Sequence, residues 1–128
     1  MHNLLPDDIA LFIAERIDSV AELEGLLILR QDPQTKWHVN ALASRLYINE
    51  GDTAELLRLL CDAGLAVKEA GDPPTYSYAP TSAELTSIVD RLANIYSKHV
   101  VPVTNLIHST PKHRVQRFAD AFKFRKDG

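Results

Sequence analysis

The chain has 128 residues, 45% of them apolar and 24% charged, with a formal net charge of −3. That length and composition suit a folded domain that buries its core without disulfides or metal, and they exclude intrinsic disorder. One cysteine, Cys61, excludes an intramolecular disulfide, and no apolar run reaches the roughly 18–20 residues that cross a bilayer.

The start, Met1 to Asp8, has neither the basic stretch nor the apolar centre of a signal peptide. The expectation is one cytoplasmic domain over residues 1–128, with no membrane partner. Charge is unevenly spread along it. Residues 1–97 carry 7 Lys/Arg against 15 Asp/Glu, whereas residues 98–128 carry 7 against 2. An acidic body with a basic end points to a charged partner.

The first helix is predicted over 7–17. Pro6 precedes it, Asp7 and Asp8 suit the positive end of its dipole, and Ile9, Phe12, Ile13 and Ile17 recur at helical spacing. Ser19 with Glu22 reads as a capping box for a second helix over 20–30, with Leu23, Leu26, Leu27 and Ile28 inward. After the turn at 31–35, Trp37 falls in a short extended piece. A short helix over 39–46 then presents Leu42, Ala43 and Leu46 on one side.

Asn49-Glu50-Gly51 reads as a tight turn and Asp52 as the cap of a fourth helix over 52–63, which Gly64 stops. Residues 65–68 and 75–78 flank a Gly/Pro turn and read as a β-hairpin. From Thr81 or Ser82 a long helix follows. Its apolar stripe, Leu85, Ile88, Val89, Leu92, Ile95, Tyr96, Val100, Val103, Leu106 and Ile107, holds its phase through Pro102. That predicts one helix kinked near Lys98–Pro102. A last amphipathic helix is predicted over 112–125, apolar through Val115, Phe118, Ala119 and Phe122.

Leu42-Ala43-Ser44-Arg45-Leu46, followed by Asp52 to Leu65 with its leucine spacing and closing Gly64-Leu65, resembles the helix-turn-helix of MarR- and ArsR-like bacterial regulators. The resemblance covers residues 20–80, about half the chain. It implies a mainly α fold with a small β-hairpin: a winged helix-turn-helix with an N-terminal helix and long C-terminal helices over 82–126. It further implies a non-enzymatic, transcription-associated regulator in which helix 52–63 enters the major groove and the hairpin touches the adjacent backbone or minor groove. The terminal helices of such proteins commonly pair, so Leu85, Ile88, Leu92, Ile95, Phe118 and Phe122 are the expected homodimer contacts.

Base and phosphate contacts need hydrogen-bond donors and positive charge. Here the fourth helix supplies Arg58 and the hairpin supplies Lys68, while Arg114, Arg117, Lys123, Arg125 and Lys126 form the one basic cluster. Those seven are the candidate nucleic-acid residues. The cluster could equally dock on the acidic body of this chain or of its partner copy. With Thr53, Leu57, Leu60 and Leu65 turned inward, Leu56 and Leu59 are expected to face out, and they would anchor an unidentified protein partner instead of DNA.

No cofactor, metal or catalytic site is expected. No His pair of His2, His38, His99, His108 and His113 has a four-residue spacing, and the motifs of nucleophilic or nucleotide-dependent enzymes do not occur. Cys61, beside Glu55 and Asp62, is expected to be an inert thiol, and His99 to be a structural histidine at the edge of the stripe.

Overall fold

The computed structural model describes residues 5–109. Its elements are α1 (Asp7–Arg16), α2 (Val20–Gln31), α3 (Val39–Leu46), α4 (Glu50–Asp62), β1 (Ala66–Glu69), β2 (Thr75–Tyr78), α5 (Ala83–Lys98) and α6 (Val100–His108).

The α2 start is a capping box. Ser19 Oγ accepts the Glu22 amide at 3.0 Å, and the Glu22 carboxylate accepts the Asp18 amide at 2.7 Å. One amide that the first turn leaves unpaired, that of Glu22, is thereby satisfied, together with the Asp18 amide just ahead of the cap. Leu23, Leu26 and Leu29 line the buried side of α2, and Leu27 and Ile28 are only half-buried. Leu29, absent from the expected set, lies one helical step beyond Leu26.

The turn between α3 and α4 differs from expectation. Tyr47, not a glycine, takes the left-handed conformation that ends α3 (φ 59°). Asn49, not Asp52, caps α4: its Oδ1 accepts the Asp52 amide at 2.7 Å. Asn and Asp cap equally well. Starting one turn earlier places Glu50 and Asp52 against the positive end of the helix dipole. Gly64 (φ 79°) ends α4 as predicted, and Leu65 returns its amide to the Leu60 carbonyl at 3.0 Å.

β1 and β2 pair antiparallel, with Ala66 opposite Tyr78 and Lys68 opposite Tyr76. Trp37 extends the ribbon by exchanging both backbone hydrogen bonds with Tyr76, at 2.7 and 2.8 Å. The short extended piece of the sequence reading is therefore a single bridge to the outer edge of β2, toward the turn end of the hairpin.

One expectation is corrected in the C-terminal region. Residues 83–108 form two helices separated by His99 (φ −137°, ψ 61°), not one kinked helix. In a continuous helix the Pro102 ring would strike the carbonyl of Lys98. Breaking at His99 puts Pro102 in the first turn of α6, where no amide hydrogen bond is lost. His99 is an exposed junction residue, not a histidine packed beside the stripe.

A hydrophobic cluster runs through α1, α2, α4, α5 and α6, with Ile9, Ile13, Leu26, Leu57, Leu60, Leu92, Val103 and Ile107 fully buried. Leu92, expected at a dimer contact, is thus a core residue of its own chain, because α5 packs on α1 and its inner side closes the core. No described helix is long and apolar enough to cross a membrane.

Candidate nucleic-acid interface

α4 is held from three sides. Thr53, Leu57 and Leu60 point into the core with no exposure. Leu56 is 4% exposed, which corrects the expectation that it faces out. The reason is the crossing with α2. A Cβ added at Gly25 would lie 2.9 Å from a Leu56 methyl, so the missing side chain lets the two helices close and Leu56 fills the gap. Leu59, also expected to face out, is half-buried at the edge of the helix. At the far end, Arg16 of α1 donates to the Ala63 carbonyl, tying the C-terminus of α4 to α1. Their separation of 47 residues hides this pairing from any local pattern.

The outer side of α4 exposes Glu50, Gly51, Asp52, Ala54, Glu55, Arg58 and Asp62. Its one cation is already engaged. The Arg58 guanidinium forms two hydrogen bonds to Glu55, at 2.6 and 3.1 Å, and a third to Asp62 at 2.8 Å. The same pairing holds the Glu55 carboxyl below its ordinary range and raises Arg58 further. A phosphate approaching α4 would have to displace two carboxylates from Arg58 while facing Glu50 and Asp52. These pairs are exposed, so the barrier is modest, but its sign opposes a polyanion.

Lys68 is exposed on β1 and lies across a hollow of about 450 Å³ from Arg58, with Ala54, Cys61 and Tyr76 between them. Two nearby cations escaped the sequence reading. Lys36 pairs with Glu69 at 2.8 Å at the hairpin, and Arg45 of α3 sits 5.7 Å above the centre of the Trp37 ring. A lone arginine in a helix carries no signal that it will find an aromatic eight residues away. Burial, and then the Asp62 charge, push the Cys61 thiol up against a smaller opposing effect of Lys68, which favours an inert cysteine. Among the described residues, no group of three His, Cys, Asp or Glu is placed to hold a metal ion.

The remaining candidate residues divide between two places. Arg114, Arg117, Lys123, Arg125, Lys126, Phe118 and Phe122 lie outside the described residues. Leu85, Ile88 and Ile95 are half-buried along α5. Nearby helices add exposed apolar side chains that no site assignment from sequence included: Leu11 of α1 is 58% exposed, and Val100 and Val101 at the start of α6 are 49% and 66% exposed.

No protein-family model matches this chain, and no curated protein matches it in sequence. Solved structures do. A MarR-family transcriptional regulator from Streptomyces coelicolor superposes with a TM-score of 0.56 at 12% identity, covering 94% of this chain and 81% of that one. A homodimeric winged helix-turn-helix DNA-binding domain from Mycobacterium bovis, from a possible ArsR-family regulator, gives 0.53 at 16% identity, covering 77% and 93%. A mutant of S. aureus MepR bound to an oligodeoxyribonucleotide gives 0.51 at 13% identity, covering 94% and 89%. At such identities the likeness is one of fold. The chain is a winged helix-turn-helix, with α3 and α4 as the helix-turn-helix and β1–β2 as the wing.

Proposed function

We propose that this chain is a non-enzymatic winged-helix regulator that acts as a homodimer and contacts DNA through a surface other than the bare outer face of α4. The observation that carries the reading is the complete α3–turn–α4–wing unit. The regulators of like fold support it, among them a homodimeric DNA-binding domain and a protein bound to an oligodeoxyribonucleotide. Fold likeness alone is a weak warrant for function, so the charge distribution must be satisfied as well. With Arg58 neutralised, positive charge for phosphates comes from Lys68 and from Arg114, Arg117, Lys123, Arg125 and Lys126. The domain organisation we propose is a single unit over 1–128, its half-buried and exposed apolar residues on α5, α6 and α1 pairing with a second copy.

DNA titrations at several salt concentrations test this reading. Each phosphate contact contributes about 0.9 to the slope of log affinity against log salt. Arg114→Ala with Arg117→Ala should therefore flatten the slope by about 2 and weaken all sequences alike. A wild-type protein with no affinity for any duplex at about 50 mM salt would overturn the DNA reading.

A further inference from the structure

Between the start of α2 and the outer edge of α4 runs a trough, floored in part by the core residue Leu56, that the proposed DNA contact does not use. One end is apolar: a hollow of about 280 Å³ floored by Ala21, Ile48, Leu56 and Leu59, with Asp52 and Glu55 at its rim. Leu59 also lines an adjoining hollow of about 300 Å³, whose other walls include Glu15, Asp18, Glu22 and Asp62, the last already bonded to Arg58. The cation at that end, Arg16, directs its guanidinium to the Ala63 carbonyl.

From this geometry we infer that the trough docks a cationic protein segment that carries an apolar anchor side chain. The apolar end accepts the anchor, and the carboxylate-lined end accepts Lys or Arg one or two turns along the same segment. Charge complementarity selects the occupant. A nucleic acid brings phosphates to a wall of carboxylates, and an acidic peptide does the same. A neutral apolar segment leaves the polar half of the trough unmatched. A cationic amphipathic segment satisfies both halves, which is the helix-in-groove mode of recognition with charges added. The site is independent of the DNA reading, because no residue proposed for phosphate contact lines it.

The probe is a short synthetic amphipathic peptide of Leu and Lys, titrated into the full isotope-labelled chain. A matched peptide of Leu and Glu is the control. The Leu/Lys peptide should shift the amide signals of Ala21, Ile48 and Leu59 saturably, and the Leu/Glu peptide should not. Leu59→Lys puts a positive charge at the junction of the two hollows and should weaken binding at least about tenfold, as loss of a central anchor does. Glu15→Lys should weaken it by a smaller factor, mainly by slowing association. If circular dichroism shows that Leu59→Lys is unfolded, Leu59→Ala decides, with a several-fold loss expected. The inference is overturned by the absence of saturable shifts or by shifts confined elsewhere. It is equally overturned by equal binding of the Leu/Glu peptide, by unchanged affinity in the folded Leu59 variant, or by a DNA duplex that shifts the same amides.

Discussion

The outer face of α4 and the outer faces of α5 and α6 are both open to solvent in the single chain, yet they are finished differently. On α4 the polar groups satisfy one another: Arg58 bridges Glu55 and Asp62, and Asn49 holds Asp52. On α5 and α6 the exposed groups include Val100 and Val101, which have no such internal solution. A self-compensated polar surface is soluble and indifferent to most partners, whereas apolar side chains left in water favour association. The difference separates a surface whose partner must be chosen by charge from one that a second copy of the chain can cover.

The largest effect is expected on the inner side of α4. Leu56→Ala should cost about 2–5 kcal/mol in a denaturant titration, as a buried leucine does. Leu59→Ala should cost less, about 1–2 kcal/mol, since its side chain keeps part of its contact with water. Equal costs would mean that Leu56 and Leu59 are not divided between core and surface.

Next in size is the other face. Val100→Asp with Val101→Asp should leave the thermal midpoint of the monomer nearly unchanged, because both sit in the first turn of α6, where acids are favoured. Sedimentation should nevertheless show self-association at least about tenfold weaker. A wild-type chain that sediments as a monomer at micromolar concentration would remove the distinction between the two faces.

A smaller change releases the compensated arginine. Glu55→Gln with Asp62→Asn frees Arg58 and should steepen the salt dependence of DNA binding by about one unit. An unchanged slope would show that Arg58 stays clear of phosphate even when uncommitted.

The smallest effect lies between the two faces, where Tyr96 of α5 donates to Glu24 of α2 at 3.0 Å. Burial first, and then the Glu24 bond, push its phenol up to about 12. A raised pKa means that the folded chain holds the proton more tightly. The associated stability is complete below the ordinary tyrosine range and is lost as pH rises through about 12. Ultraviolet titration of wild type against Tyr96→Phe should show one late-ionising phenol missing from the variant.

The helix-turn-helix unit was legible in the sequence because its signals are local. The Ser19–Glu22 box, the leucine spacing of 42–65, Gly64 and the Gly/Pro turn of the wing each act within a few residues. What escaped depended on distant neighbours. Leu56 could be placed inward only by knowing that Gly25 crosses it, and the partner of Arg16 lies 47 residues away. The break at His99 was a different kind of miss. The apolar stripe keeps its phase across it, so periodicity alone could not separate a kink from two helices. The position of Pro102 relative to Lys98 could have done so. At the candidate site, the exposure of Arg58 was readable, but its capture by Glu55 and Asp62 turns on rotamers, which residue spacing does not fix.

Trp37 is the only tryptophan in the chain, and it stands between Arg45 of α3 and the outer edge of β2. Its backbone is bridged to Tyr76 and its indole is covered by Arg45. The molecule therefore carries its own fluorophore at the joint between wing and helix-turn-helix. Selective excitation of that single ring reads the seating of the wing without any label. A ligand that only covers the far side of α5 leaves the emission unchanged, and one that lifts the hairpin or draws Arg45 away changes it.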